Sequence, residues 1–401
     1  MRFADRTRKL TSFRAVDFLE ATIKLESQGH DVIKMGVGEP GFAMATPMAE
    51  AAKKAISEGK TSYTPPCGIP ELRQAIADHY RHSYDLVINP QRIIVTTGSS
   101  AALSMVCELL LNPGDGLLMS DPGYPCNPNF VRRLDAEPQF VPVDAEDNYQ
   151  LTAERVAAHW KQNTVGVMVA SPNNPTGEVI SRDNLEALYR EVSHRGGSLV
   201  VDEIYHGLIY EDKPVASILE ITDEAFVINS FSKFFGMTGW RLGWMVVPEG
   251  VADTINVMIQ NFYISSPAVA QYAALSAFEP ETLSILEQRR VEFKQRRDFL
   301  VPALRELGFG VSHVPSGAFY VYADVQKFTD NCEEFCWQLL REYGVACTPG
   351  TDFGEHLANH HIRFTYTESL ERLQLGIERL GKALRKVTDI RSELNETVPA
   401  L

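Results

Sequence analysis

Residues 230–243 read Ser-Phe-Ser-Lys-Phe-Phe-Gly-Met-Thr-Gly-Trp-Arg-Leu-Gly and directly follow the apolar run at 226–228. The run predicts a buried strand, so Lys233 stands at a strand end among hydroxyls and glycines, with Arg241 further along the loop. Burial and a neighbouring positive charge both disfavour the protonated amine, as an amine nucleophile toward aldehydes requires. The two serines and the guanidinium of Arg241 could clamp a phosphate.

Further apolar runs alternate with helical patterns on both sides of this stretch. Their near-continuous apolarity is typical of parallel strands that helices cover on both faces. Between two runs, Ser181 is a plausible N-cap, and Leu185, Leu188, Tyr189 and Val192 fall on one face of a crossover helix. The runs lie at residues 93–95, 116–119, 165–170, 199–201, 226–228 and 244–247.

Beyond residue 285 the pattern changes to α+β. A long charged helix is predicted at 283–307, strands near 319–322 and 362–364, and a final helix from Leu370. A chain of 401 residues also exceeds the usual size of one domain. We predict a large domain of residues 46–285, with a mostly parallel sheet covered by helices, and a smaller α+β domain formed by both chain ends, residues 1–45 and 286–401.

Composition disfavours several classes of protein. A formal charge of -14 argues against a nucleic-acid binder. The chain contains no run of about 18 apolar residues, so no membrane span is predicted. The first residues lack the apolar core of a secretory signal, so we expect a cytoplasmic location. Six cysteines without metal-type spacing favour reduced thiols and no bound metal.

The stretch at 230–243 matches, position for position, the pattern S-x-S-K-x-x-x-x-x-G-x-R-x-G of the class I/II aminotransferases. The chain resembles this family, in particular its aspartate aminotransferase-like members, over nearly its whole length. The resemblance implies the fold type I of pyridoxal-phosphate (PLP) enzymes. It also implies that PLP is held as a Schiff base on Lys233. An incoming amino acid would displace Lys233, and the freed amine would then move the proton of the substrate α-carbon.

Further residues resemble the cofactor site of the family. Asp202 resembles the carboxylate that keeps the pyridine nitrogen protonated, while Tyr205 and Asn174 resemble the groups that bind the ring hydroxyl. Each alone could be an ordinary strand end or turn, but ligands of open α/β sheets gather at such strand ends. The resemblance implies catalytic roles for Lys233, Asp202 and Tyr205, and a cofactor-binding set of Tyr63, Ser99, Ser100, Tyr124, Asn174, Asp202, Tyr205, Ser230, Ser232, Lys233 and Arg241.

Within that set, Ser99 and Ser100 open a predicted helix whose N-terminus could face a phosphate. Tyr124 resembles the aromatic residue that stacks on the cofactor ring. Tyr63 resembles the tyrosine that reaches the phosphate of a neighbouring subunit, which implies a homodimer.

Substrate binding is implied for Gly38, Asn174 and Arg363. Arg363 lies in an alternating strand and resembles the arginine that binds the substrate α-carboxylate through two hydrogen bonds. Gly38 belongs to a segment that resembles the one closing over substrate. Residues 261–267 lack the second arginine of many dicarboxylate specialists, so an aspartate-like donor and a broad range of other amino acids both stay open.

The expected reaction moves an α-amino group to an oxo acid in ping-pong order, with 2-oxoglutarate as the commonest acceptor of the resembling family. Two alternatives are a PLP-dependent lyase or synthase on the same fold, and an amino-acid-sensing regulator domain without catalysis.

Other signals are weaker. Residues 36–41 match G-x-G-x-x-G, the fingerprint of dinucleotide-binding sites. Pro40 lies inside this match and no clear βαβ unit accompanies it, so we do not predict a dinucleotide site. His356 and His360 lack a zinc-type motif. A basic cluster at 289–297 is interrupted by acidic residues, as is usual on a solvated helix face, so it is weak evidence for nucleic-acid binding.

Overall fold

The fold is described from a computed structural model that covers residues 1–211 and 215–397, with side chains up to residue 386. Twelve α-helices lie within these residues: α1 (Arg14–Ser27), α2 (Thr46–Ser57), α3 (Pro70–Tyr84), α4 (Ser99–Leu110), α5 (Asn127–Arg132), α6 (Ala153–His159), α7 (Arg182–His194), α8 (Ala252–Phe262), α9 (Ala268–Leu275), α10 (Pro280–Glu306), α11 (Cys332–Tyr343) and α12 (Leu370–Thr397). None of these helices is long and apolar enough to cross a membrane.

The same residues contain twelve strands in three sheets. The strands are β1 (Ile33–Lys34), β2 (Ile93–Thr96), β3 (Gly116–Asp121), β4 (Glu137–Pro142), β5 (Thr164–Ala170), β6 (Ser198–Asp202), β7 (Phe226–Ser230), β8 (Gly243–Val246), β9 (Tyr320–Asp324), β10 (Val345–Ala346), β11 (Thr348–Pro349) and β12 (His361–Thr365).

Seven strands form the large sheet, in the order β2-β8-β7-β6-β5-β3-β4. Only β8 runs against its neighbours, and the other pairs are parallel. Side chains of β6 are buried on both faces: Leu199 and Val201 join one apolar cluster and Val200 another. The predicted α/β fold with a mostly parallel, helix-covered sheet is therefore confirmed.

All six predicted strands of this sheet are present, and one further strand, β4, has no counterpart among the predicted apolar runs. It begins at Glu137 and contains Pro138 and Pro142, which weaken any strand pattern. Proline is tolerated because β4 lies at the edge of the sheet, where fewer ladder hydrogen bonds are needed.

The predicted crossover helix between β5 and β6 is α7. The Ser181 hydroxyl accepts a hydrogen bond from the backbone N–H of Asn184 at 3.3 Å, and so caps the helix. Leu185, Leu188 and Val192 are buried against the sheet. The helix ends before Gly196, whose φ of +71° suits a residue without a side chain.

Residues from both ends of the chain pack together beside the large sheet. Strand β1 pairs in parallel with β10, and β11, β12 and β9 form an antiparallel sheet. Phe18 of α1 stacks on Trp337 of α11, with ring centres 4.1 Å apart. Helix α10 runs through residue 285, where the two domains are predicted to meet; the domain limits stay a prediction.

Replacing Leu188 with alanine should lower the free energy of unfolding by about 2–5 kcal/mol, because it leaves a cavity between α7 and the sheet. The matched control is Arg190→Ala on the solvent side of the same helix. It removes only an exposed ion pair to Glu186, worth at most about 1 kcal/mol. Urea denaturation of both variants measures the difference, and equal losses would contradict the assigned burial.

Candidate active site

A cavity of about 200 Å³ lies at the carboxyl ends of β5 and β6, beside the loop after β7 and the N-terminus of α4. Residues of β12 and of the N-terminal part of α1, called here the entrance of α1, also line the cavity. The residues that line it are Phe13, Ala15, Val16, Leu19, Val37, Gly38, Ser99, Ser100, Leu103, Tyr124, Ala170, Asn174, Asp202, Ile204, Tyr205, Ser232, Lys233, Thr238, Arg241, Tyr320 and Arg363. The fold thus brings most of the predicted site residues into one cavity.

The amine of Lys233 lies inside this cavity. Its Nζ donates a hydrogen bond to the carbonyl oxygen of Gly38 at 2.7 Å and lies 5.8 Å from the ring centre of Tyr205. Burial lowers the pKa of Lys233 to about 8, and the positive charge of Arg363 acts in the same direction. Near neutral pH a minor fraction of the amine is therefore neutral, far more than for an exposed lysine, as a nucleophilic amine requires.

Asp202 ends β6 and is buried at the floor of the cavity. Its Oδ1 accepts one hydrogen bond from the backbone N–H of Ile204 at 3.2 Å. Burial raises the pKa of Asp202 to about 7, and the nearby charge of Lys233 opposes this rise. A cationic group bound against Asp202 would keep the carboxylate ionised.

Arg363 is buried in β12 and faces the same cavity. Its Nη1 donates to Oδ1 of Asn174 at 2.7 Å, its Nη2 donates to the carbonyl oxygen of Gly36, and its Nε is buried without a hydrogen-bond partner. A buried guanidinium N–H without a partner is costly. A guanidinium has five N–H donors, more than the acceptors named here, so Arg363, which lines the cavity, retains capacity to bind a carboxylate.

The N-terminus of α4 has the features of an anion site. No side chain caps the helix, so its first N–H groups are free to bind a ligand. The guanidinium of Arg241 lies against this turn: a Cβ on Gly98 would be 2.6 Å from Arg241 Nη2. Ser99 and Ser100 open the helix at the cavity surface.

Two predicted cofactor-binding residues lie outside the cavity lining. Ser230 is buried, and its hydroxyl accepts a hydrogen bond from the backbone N–H of Ser232 at 3.0 Å, so it shapes the loop that carries Lys233. Tyr63 is 81% exposed, in a surface depression shared with Thr97 and Phe262. Their roles toward a cofactor stay predictions.

The sequence patterns do not identify Tyr320 or the entrance of α1. Tyr320 and Tyr205 share a hydrogen bond of 2.6 Å between their hydroxyls, and the guanidinium of Arg363 lies 4.4 Å from the ring centre of Tyr320. A Cβ on Gly38 would lie 2.6 Å from the Tyr320 hydroxyl, so the glycine permits this close approach. The only sequence signal for Tyr320 is its place in a predicted strand.

Comparison with known proteins identifies the family. Residues 30–380 match the family model described as "Aminotransferase class I and II". The chain belongs to the class I and II aminotransferases. Over 377 residues, this aminotransferase is 37% identical to a protein of Methanocaldococcus jannaschii named (5-formylfuran-3-yl)methyl phosphate transaminase, with 94% of this chain and 97% of the relative covered.

Two further relatives come from Mycobacterium tuberculosis. One, named valine--pyruvate aminotransferase, is 34% identical to this aminotransferase over 373 residues, which cover 93% of this chain and 96% of the relative. The other is a crystal structure of an aminotransferase that is 33% identical and superposes with a TM-score of 0.93, over 96% of this chain and all (100%) of that chain. The names of these relatives differ in substrate.

Proteins of this family use PLP, and the cavity of this aminotransferase suits that cofactor. The uncapped start of α4 and the guanidinium of Arg241 match a phosphate dianion. Asp202, whose burial disfavours an unpaired carboxylate, matches a protonated ring nitrogen. Lys233 supplies a nearby amine for the aldehyde. No group of three or more His, Cys, Asp and Glu side chains in the described part of the chain could hold a metal ion.

In cofactor-free protein, amine-directed labelling of Lys233 should increase with pH and reach half its maximum near pH 8, because the neutral amine reacts and burial lowers the pKa of Lys233 from 10.5 to about 8. Competitive acetylation followed by peptide mapping measures this midpoint. In Arg363→Gln the midpoint should shift to higher pH, since a repulsive charge is removed. A wild-type midpoint near 10.5 would contradict the described surroundings of the amine.

Proposed function

We propose that this aminotransferase binds PLP on Lys233 and moves the α-amino group of an amino acid to a 2-oxo acid in ping-pong order. The observation that carries the proposal is the meeting of three groups in one cavity: the Lys233 amine, the buried Asp202 carboxylate and the Arg363 guanidinium. The three groups match the aldehyde and ring nitrogen of the cofactor and the carboxylate of an amino acid, respectively.

Each part of the cofactor has a matching group in the chain. The first N–H groups of α4, together with Ser99, Ser100, Ser232 and Arg241, would hold the phosphate. Asp202 would pair with the ring nitrogen, and Tyr124 would cover the ring face. Tyr205 and the amide of Asn174 would bind the ring hydroxyl; the amide is oriented because its Oδ1 accepts from Arg363. PLP, when bound, supplies an aldehyde for amines and a ring that withdraws electrons from the substrate α-carbon.

Arg363 orients the substrate through its α-carboxylate. The buried guanidinium is held by Asn174, by the Gly36 carbonyl and by the ring of Tyr320, and it lines the cavity with N–H donors to spare. Fixing the carboxylate there positions the α-carbon near the Lys233 amine. Gly38, whose carbonyl accepts from Lys233, is part of the segment proposed to cover the substrate.

Lys233 is the group proposed to move the proton of the α-carbon. A pKa of about 8 places its neutral form, which can accept a proton, within reach of physiological pH. The carbonyl oxygen of Gly38 and the ring of Tyr205 position the amine.

The acceptor is proposed to be a 2-oxo acid. The commonest acceptor of the family, 2-oxoglutarate, is the first candidate, and pyruvate, named for one relative, is the second. A homodimer is proposed as the active unit, because Tyr63 is exposed near the α4 turn and could reach a neighbouring site.

The test of this function is a borohydride trap followed by peptide mapping. Reduction should fix the cofactor to Lys233, and an added amino acid should convert the cofactor of the unreduced holoenzyme stoichiometrically to its amine form, read by absorbance. Lys233→Ala should still bind PLP but lose this conversion. Label on another lysine, or normal turnover of the variant, would overturn the proposal; release of a lyase product without the amine form would identify the alternative reaction.

Gly98→Ala should weaken the affinity for PLP by about tenfold, because the added Cβ displaces the Arg241 guanidinium and weakens a charge-assisted phosphate contact. The matched control is Gly114→Ala. Gly114 has a similarly positive φ, +90° against +78°, but has open space around its Cβ position. Fluorescence titration of both apoproteins separates displacement of Arg241 from backbone strain, and equal affinities for PLP would count against the phosphate site.

A further inference from the structure

We infer that the entrance of α1 contacts the side chain of the bound amino acid and makes this aminotransferase select donors with apolar side chains. Phe13, Val16 and Leu19 line the cavity from this helix entrance and are called the α1 wall. The inference rests on the proposed function, because it concerns the substrate of that same site.

The charges of the cavity leave a second substrate carboxylate without a partner. Among the described residues that line it, the cations are Lys233, Arg241 and Arg363, and the anion is Asp202. In the proposed function the three cations meet the aldehyde, the phosphate and the α-carboxylate, respectively. Within the lining that one subunit supplies, a distal carboxylate would therefore be buried without a counter-charge, which strongly disfavours binding. The described residues around Tyr63, the surface proposed to reach a neighbouring site, include no charged side chain either.

The α1 wall offers apolar surface instead. The ring of Phe13 meets that of Tyr124 edge to face, with centres 6.1 Å apart and planes at 90°. Val37, next to Gly38, extends the apolar lining. An apolar side chain that covers this surface gains free energy from the water it displaces.

The proposed placement of the substrate directs its side chain to this wall. The α-carboxylate is bound by Arg363, the amino nitrogen takes the place of the Lys233 amine, and the α-hydrogen must face Lys233. The fourth substituent of the α-carbon is left to the part of the cavity that these groups do not occupy. In the inferred arrangement it meets the α1 wall, which is part of the cavity lining.

Asp352 holds the α1 wall in place from the opposite end of the chain. Its carboxylate oxygens accept hydrogen bonds from the backbone N–H groups of Arg14, at 2.6 Å, and Ala15, at 3.1 Å. Burial raises the pKa of Asp352 to about 6, so the carboxylate is ionised at pH 8. Asp352 does not line the cavity and acts through α1, which makes it a positioning residue.

Arg14, the cation at the start of this helix, is engaged elsewhere. Its guanidinium lies 3.6 Å from Glu333 and 3.9 Å from Asp17. It lines a neighbouring cavity of about 270 Å³, together with Asp352 and Glu355. Its charge is therefore directed toward acidic groups outside the substrate cavity.

The first experiment compares leucine with aspartate, whose side chains have similar size and shape but differ in charge. Conversion of the holoenzyme to its amine form is followed at pH 8 without an oxo acid. We expect the second-order rate constant of this single conversion, which equals kcat/KM in a ping-pong reaction, to be higher for leucine than for aspartate by about tenfold or more. Equal or faster conversion by aspartate would overturn the inference while the proposed function stands. Conversion by no amino acid would instead remove the proposed function, and the inference with it.

The second experiment uses Phe13→Ala. It should lower kcat/KM for leucine by about tenfold and leave that for alanine within about twofold, because only the longer side chain reaches the α1 wall. The control is Ile23→Ala, an exposed position of the same helix outside the cavity, which should change neither value. Equal losses for leucine and alanine would show that Phe13 does not contact the side chain.

The third experiment tests Asp352. Asp352→Ala should raise KM for leucine by about tenfold with the cofactor absorbance unchanged, because the α1 wall is no longer held. Asp352→Asn retains an acceptor oxygen and should recover part of the loss. If both variants keep the wild-type KM, Asp352 has no positioning role.

Discussion

The burial of charged groups in one cavity is the constraint on which the rest of the structure depends. Asp202 and Arg363 are withdrawn from water and Lys233 is partly so, in the cavity at the carboxyl ends of β5 and β6. Each charge there needs a partner or a change in protonation. The chain meets this need partly by itself, through Asn174 and the Gly38 carbonyl. What a ligand can still satisfy is the set of unused N–H donors of Arg363 and the carboxylate of Asp202, whose pKa is raised. The parallel strands supply the rigid support for this arrangement.

The large sheet can be predicted well because its central strands are buried on both faces and therefore read as continuous apolar runs. Strand β4 cannot be predicted in this way. It lies at the edge of the sheet, where Pro138 and Pro142 are tolerated, and so it lacks the continuous apolar pattern. The pairing of β1 with β10 cannot be predicted from the local sequence either, because each of these strands has only two residues and so shows no periodic pattern. The sequence does indicate that the first residues could pack on the C-terminal part.

The candidate site shows the same division. Lys233, Asp202 and Arg241 follow or end predicted strands and belong to recognisable motifs, so a pattern can locate them. Tyr320 and Asp352 belong to no motif. The Tyr320 hydroxyl contacts that of Tyr205, 115 positions away, and Asp352 accepts from the backbone N–H of Arg14, 338 positions away. Such pairs depend on the folded topology alone. Ser230 shows the converse, a residue of the motif whose hydroxyl bonds to its own loop.

The bond between Asp352 and the start of α1 also bears on how the protein is made. Arg14 and Asp352 are 338 positions apart. At the usual pace of synthesis, the start of α1 is therefore made roughly twenty to seventy seconds before its acceptor. The strands of the large sheet, by contrast, are complete at residue 246. A growing chain can assemble the large sheet around Lys233 first, while the backbone N–H groups at the start of α1 lack the carboxylate that accepts from them until Asp352 has been made.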